Sequence, residues 1–146
     1  MVLQNLVPTL QVAIGPVILI SGVGLLLLSI TNRLGRAIDR SRQLQEVYRT
    51  GTEADRARVR GQLKILWRRA CLIRASIVWA SSGVLLAALL IIFLFISSLL
   101  DWQMAAVIVI LFCGCLAAII MALIYFIRDI NLSLHALRLD LDYTEK

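Results

Sequence analysis

Residues 33–74 read RLGRAIDRSRQLQEVYRTGTEADRARVRGQLKILWRRACLIR, and this stretch decides the fold. It carries twelve of the fifteen Lys and Arg residues and only four acids, so its net charge is +8 in a chain whose net charge is +6. Long apolar runs flank it on both sides. Because cationic residues are retained on the cytoplasmic face of a bilayer, the stretch predicts a basic cytoplasmic helical hairpin over residues 32–74 and fixes the direction in which the chain is threaded.

The composition is that of a membrane protein. The 146 residues are 60% hydrophobic, and a mean hydropathy of +0.88 lies outside the range of soluble globular domains. A pI near 9.9 suggests nucleic acid as a partner. The excess charge is confined to one block beside apolar runs, however, which favours a positive-inside loop and no nucleic-acid partner.

Three apolar segments are long enough to cross a hydrocarbon core of about 30 Å. They cover residues 10–31, 75–100 and 104–127, and Pro8-Thr9 predicts the start of the first helix. Residues 1–32 contain no Lys or Arg, which indicates an uncleaved anchor with the N-terminus outside. An odd number of spans then places the C-terminus, with a helix over 128–142, in the cytoplasm.

We therefore predict an all-α integral membrane protein, a single membrane domain over 1–146 with three long transmembrane helices that run up, down and up. The helices extend into a cytoplasmic helical bundle. Thr50-Gly51-Thr52 predicts the turn of the hairpin, since Gly suits the residue that closes a helix. Two apolar stripes are expected to pack across it: Leu34, Ile38, Ser41, Leu44 and Tyr48 against Val59, Leu63, Leu66 and Ala70.

Small residues recur along one face of each span, where they let helices approach closely. The predicted packing positions are Gly15, Gly22 and Ser29 in the first span, Ser76, Ala80, Gly83 and Ala87 in the second, and Gly114, Ala118 and Ala122 in the third. Three spans seldom enclose a solvated path, so these faces predict a homo-oligomer.

Arg74 and Asp129 lie equally far from the centre of the 101–102 turn. In a straight hairpin they reach the same depth, which predicts a salt bridge. A gate or proton relay is the functional alternative, and separate snorkelling of the two charges to the headgroups is the simpler one.

Ser29, Thr31 and Asn32 form a polar cluster at the end of the first span, and intramembrane polar groups can mark a pathway. At the boundary, capping and interhelical hydrogen bonds explain them equally well. His135 is the only histidine, and no spacing suggests a catalytic triad. We expect no enzyme activity, no cofactor and no metal site.

Five arginines of the basic arms are candidates for contact with anionic lipid or an acidic partner, because each cation near such a surface contributes about 1 kcal/mol. They are Arg33, Arg36, Arg40, Arg68 and Arg69.

Several motifs resemble a family of small bacterial three-span inner-membrane proteins catalogued as a domain of unknown function. The motifs are Pro16-Val17-Ile18-Leu19-Ile20-Ser21-Gly22, the leucines 25–28, Thr31-Asn32-Arg33-Leu34, Ile38-Asp39-Arg40, Arg68-Arg69-Ala70 and Ile73-Arg74. The resemblance covers nearly the full length. It implies the bacterial inner membrane and three spans, and it supplies no activity and no catalytic residue.

Two functions remain open. The first is a self-associating structural or interaction module of a larger membrane complex, because the middle of each span lacks the polar groups or broken helices of transporters. The second is a homo-oligomeric ion channel with an apolar gate and an arginine-rich cytoplasmic vestibule.

Overall fold

A computed structural model describes the backbone of residues 2–100 and 105–144, and the side chains of residues 7–8, 10–53, 56–100 and 105–134. Three α-helices make up this part of the chain: α1 (Val2–Thr50), α2 (Glu53–Leu100) and α3 (Ala105–Thr144). The described residues contain no strand. The predicted all-α fold with three long apolar helices is thus confirmed.

All three helices are longer than a membrane is thick. With 49, 48 and 40 residues and a rise of 1.5 Å per residue, each follows a path of at least about 60 Å, twice the hydrocarbon thickness. Each also contains a segment apolar enough to cross a membrane, within Leu10–Thr50, Arg56–Leu100 and Ala105–Leu134. The chain is a multi-pass membrane protein by these criteria. The predicted spans 10–31 and 75–100 lie inside these helices, as do residues 105–127 of the predicted span 104–127. Met104 and the predicted Asp101-Trp102-Gln103 turn lie outside the described residues.

The first connection falls where the sequence predicts it. The Gly51 amide donates to the Val47 carbonyl at 2.9 Å, which closes α1, and the Arg56 amide donates to the Thr52 carbonyl at 3.0 Å, which opens α2. The other end of α1 corrects a prediction, because the helix begins at Val2 and runs through Pro8. Pro8 is the seventh residue of α1, so the helix continues through it without the hydrogen bond that an amide at this position would donate to the Gln4 carbonyl.

The chain divides into two compact units, each built from parts of all three helices. The first unit comprises Met1–Leu28 and Val78–Ala122. Its core is a cluster with one buried side chain from each helix, Val23, Ala80 and Ala122. Since two of the three are alanines, the helices can approach closely in this unit.

The second unit comprises Ser29–Ile77 and Leu123–Lys146 and contains the basic hairpin. Near the turn, an Arg60 Nη2 donates to the Tyr48 hydroxyl at 2.8 Å. Two residues of the predicted apolar stripes, Leu44 and Val59, are buried as expected. Ile38 is instead 42% exposed and Ala37 is buried in its place, so the inner face of α1 is rotated by about one residue from the predicted one.

Buried positions recur every seven residues along each helix, the spacing of a coiled-coil seam. They are Val23, Ile30, Ala37 and Leu44 in α1; Ile73, Ala80 and Ala87 in α2; and Cys115, Ala122 and Asp129 in α3. Asp129 is the only charged residue in this series, and it belongs to the candidate site described below.

Candidate functional site

Asp129 occupies the buried seam of α3, seven residues after Ala122, and its side chain has no exposed surface. Among the described residues, Ser76 is the only other buried polar residue. Removing a carboxylate from water costs several kcal/mol unless it is paired and hydrogen-bonded. The residues that compensate this charge therefore define the site.

Two arginines from different helices supply the compensation. Arg69 of α2 donates from Nε to Oδ1 of Asp129 at 3.4 Å, and Nη1 of Arg33 in α1 lies 3.8 Å from Oδ2. The two arginines are each 18 residues from Gly51, on opposite arms of the hairpin. One carboxylate thus links α1, α2 and α3 within the second unit.

The arginine from α1 is held by a second contact. Its guanidinium carbon lies 5.0 Å from the centre of the Phe126 ring, on the same helix as Asp129 and one turn before it. A guanidinium over an aromatic face at this distance is a cation–π contact worth about 0.5–2 kcal/mol. The Arg33 side chain is 34% exposed and the Arg69 side chain 28% exposed, so both side chains keep part of their surface accessible.

The carboxylate is only partly satisfied. Its Oδ2 accepts no hydrogen bond from a described residue, because 3.8 Å to Arg33 is too long for one. Further along α3, the Ser133 hydroxyl donates to the main-chain carbonyl of Asp129 at 2.8 Å. That bond leaves the carboxylate oxygens unchanged, so the ion pairs are the main compensation for the buried charge.

A pocket lies beside this cluster, which we call the arginine pocket. It has a volume of about 270 Å³ and is lined by Arg33, Arg36, Ala37, Arg40, Leu66 and Arg69. The arginines of α1 are three and four residues apart, so they lie on successive turns of one helical face. Four guanidiniums around one opening make it a candidate site for an anion.

The arginine pocket gathers four of the five arginines that the sequence predicts for contact with anionic lipid or an acidic partner. The fifth, Arg68, is exposed and does not line it. Since Arg68 and Arg69 are adjacent, they point about 100° apart on the helix.

The predicted partner of Asp129 needs a correction. Among the described residues Asp129 pairs with Arg33 and Arg69 and not with Arg74, which is exposed. Arg74 lies five residues beyond Arg69, about 140° further around α2. Equal distance from the 101–102 turn fixes neither the face of a residue nor the register of the two helices, and the observed partner Arg69 is five residues, about 7.5 Å, from Arg74 along α2. The seven-residue spacing from Cys115 through Ala122 to Asp129 was the signal that could have placed this acid on the inner face.

The predicted small-residue positions fall into two groups. Those of α2 and α3 are buried or half-buried. Ser76 is buried in the second unit, and in the first unit Gly114 is half-buried and the others are buried: Ala80, Gly83, Ala87, Ala118 and Ala122. At Gly83 an added Cβ would lie 3.1 Å from Cγ1 of Ile119, and the Cys115 thiol donates to the Gly83 carbonyl at 3.2 Å. The positions of α1, Gly15, Gly22 and Ser29, are exposed.

The predicted polar cluster of Ser29, Thr31 and Asn32 is exposed on α1, and none of the three lines the arginine pocket. The side chain of His135 lies outside the described residues. Within the described part of the chain, no group of three or more His, Cys, Asp or Glu residues is placed to hold a metal ion.

No curated protein matches the chain, and no solved structure matches it. A family model does match, over residues 13–139, and its description is "Protein of unknown function (DUF2721)". The match covers most of α1 and α3, all of α2, the arginine pocket and Asp129, and it agrees with the resemblance seen in the sequence motifs. The chain therefore belongs to the DUF2721 family of proteins of unknown function.

Proposed function

We propose that this protein is a non-enzymatic, self-associating structural or interaction module of the bacterial inner membrane, in which α1 contacts a second copy or a larger membrane complex. The N-terminus lies outside, and the basic hairpin and the C-terminus lie in the cytoplasm. The net +8 of residues 33–74 supports this orientation, because Lys and Arg are retained on the cytoplasmic side.

The observation that carries self-association is the exposed small-residue face of α1. Gly15, Gly22 and Ser29 are exposed, and a Cβ added at either glycine would meet nothing within 4 Å. The buried seam of the same helix, at Val23 and Ile30, is one residue further along. A face of glycine and serine leaves the backbone open to a close helix–helix approach, which is the usual contact between helices in lipid.

A structural role also fits the cluster around Asp129. Its carboxylate contacts two arginines from two other helices, which is an arrangement that holds helices together. A general acid or base would need reach to a substrate proton, whereas Asp129 does not line the arginine pocket.

Substitution of two neighbouring glycines tests the association face. Gly22 and Gly24 are both exposed and both face open space, but they point about 200° apart on α1. We expect Gly22→Ile to weaken self-association in liposomes by about tenfold, the equivalent of roughly 1.4 kcal/mol. Gly24→Ile is the matched control and should leave it unchanged.

Single-molecule photobleaching of labelled protein at several protein-to-lipid ratios gives the monomer fraction. Equal effects of the two substitutions, or a wild-type protein that stays monomeric at every ratio, would reject the association face.

An ion channel is the second candidate, favoured by the exposure of Ser29, Thr31 and Asn32 on α1. Because these residues face outward, such a pore would form between copies. An ion-flux assay in liposomes separates the two functions. Flux that is lost in Asn32→Ala and Ser29→Ala supports the channel, and absence of flux in wild-type protein whose association has been demonstrated supports the structural module.

A further inference from the structure

We propose that the arginine pocket binds a phosphate group, carried either by the headgroup of an anionic lipid or by a soluble phosphate. The site is formed by Arg33, Arg36, Arg40 and Arg69. It does not depend on self-association, because all of its residues belong to one chain and to one compact unit.

The arginine pocket carries an excess of positive charge. Four arginines line the pocket, and Asp129 is the only described acid in ion-pair contact with any of them. The cluster therefore keeps a net charge of about +3. Like charges this close repel one another, and a bound anion relieves the repulsion.

Two of the four arginines are already held in place. Arg69 uses its Nε for Asp129, which leaves both terminal nitrogens for another acceptor. Arg33 contacts both Asp129 and the Phe126 ring. Donors that are positioned before the ligand arrives lose less conformational entropy on binding, so Asp129 acts here as a positioning residue.

The other two arginines are available to close on a ligand. Arg36 has no ion pair with any described residue, and Nη1 of Arg40 has only a long contact of 3.4 Å to the neutral amide of Gln43. Both are exposed. Each guanidinium offers five donors in a planar fork that matches the oxygens of phosphate.

Size and position agree with a phosphate group. The volume of the arginine pocket, about 270 Å³, is several times the roughly 30 Å³ that one water molecule occupies. A phosphate group and part of its ester therefore fit. Ala37 and Leu66 give the lining an apolar portion. The site residues lie within ten residues of the predicted ends of the first and second spans, at residues 31 and 75, close to the depth of lipid headgroups.

The test compares two double substitutions in the full-length protein, purified in an uncharged detergent. Arg36→Gln with Arg40→Gln removes the two exposed guanidiniums of the pocket. Arg42→Gln with Arg49→Gln is the matched control, since it removes the same charge from exposed positions of the same helix outside the pocket. The probes are short-chain phosphatidylglycerol and inorganic phosphate, and binding is measured by isothermal titration calorimetry.

We expect wild-type protein to bind at least one probe, and the pocket variant to bind it about 30-fold more weakly, about fivefold for each cation removed. The control should lose less than about threefold, because its charges act only at a distance. Binding of phosphatidylglycerol alone assigns a lipid headgroup, and binding of inorganic phosphate with the same pattern assigns a soluble phosphate.

Two results would overturn the site. The first is equal weakening in the two double variants, which indicates general attraction to a basic surface. The second is absence of binding of both probes to wild-type protein. Repeating the titration in the Gly22→Ile background separates this site from self-association, because the pocket should bind equally well in a protein that no longer associates.

Discussion

Exchange of Arg69 for Gln should destabilise the protein, whereas the same exchange at Arg74 should not. The two residues are five apart on α2 and have the same charge. Only Arg69 contacts the buried carboxylate of Asp129, at 3.4 Å, while Arg74 is exposed. The pair of variants therefore isolates the ion pair from the general effect of removing a cation.

The size of the effect follows from the geometry. Two unit charges about 4 Å apart attract by about 4 kcal/mol at the effective dielectric constant of a protein surface. Arg69 is 28% exposed, so water screens part of this attraction, and Arg33 remains to pair with the carboxylate. Since breaking a fully buried pair costs about 3–5 kcal/mol, we expect about 2 kcal/mol for Arg69→Gln. Arg74→Gln should stay within about 0.5 kcal/mol of wild type.

Unfolding in mixed micelles of mild detergent and dodecyl sulfate, followed by tryptophan fluorescence, measures both values. A double-mutant cycle with Asp129→Asn adds a second readout: the coupling energy should be about 1 kcal/mol or more for Arg69 and near zero for Arg74. If Arg74→Gln destabilises as much as Arg69→Gln, or couples as strongly to Asp129→Asn, then the ion pair between Arg69 and Asp129 is wrong.

Further predictions concern single positions of the helices. Gly83→Leu should lower the free energy of unfolding by about 1–3 kcal/mol, because even its Cβ would lie 3.1 Å from Ile119; the same denaturant titration measures it, and an unchanged midpoint would exclude the close α2–α3 contact. Gly35→Ala should raise that free energy by about 0.5–1 kcal/mol, since its site on α1 is open and alanine is the better helix former; a loss of stability would show that the site is occupied. Tyr48→Phe removes the acceptor of the Arg60 hydrogen bond and should speed trypsin cleavage in the hairpin, and an unchanged cleavage rate would mean that this bond does not hold the two arms together.

Sequence alone predicts the helices well because the hydropathy of a segment is averaged over many residues. Three apolar segments and one Gly51 turn suffice to define α1, α2 and the hairpin between them. The start of α1 at Val2 was missed because Pro8 and Thr9 carry the signature of a helix start. The helix nevertheless continues through Pro8, which removes one backbone hydrogen bond without ending α1.

Helical faces were predicted less well than helical spans. Each residue rotates the helix by about 100°, so an error of one position moves a side chain to another face. This is why Ile38 was expected inside and Ala37 is found there. The same limit contributes to the error at Arg74, which lies five residues and about 140° around α2 from Arg69, the residue that contacts Asp129.

The arginine pocket could be predicted only as a set of residues. Arg33, Arg36 and Arg40 are close in sequence on one helix, so their common face follows from their spacing. Their meeting with Arg69 depends on the register of the two arms, which the sequence leaves open until the inner faces are known. Once Asp129 is placed on the seam of α3, the convergence of arginines from both arms has a physical reason.

Membrane topology is the property on which the remaining inferences depend, and one experiment measures it. A small epitope tag is placed in turn before Met1, in the turn at Gly51 and after Lys146, and each is probed in intact spheroplasts, which lack an outer-membrane barrier, and in permeabilised spheroplasts. Three crossings with a cytoplasmic basic hairpin predict that the first tag is accessible in intact spheroplasts and that the other two become accessible only after permeabilisation. A tag at Gly51 in the same compartment as the tag before Met1, or an N-terminal and a C-terminal tag on one side, would contradict the three-span architecture.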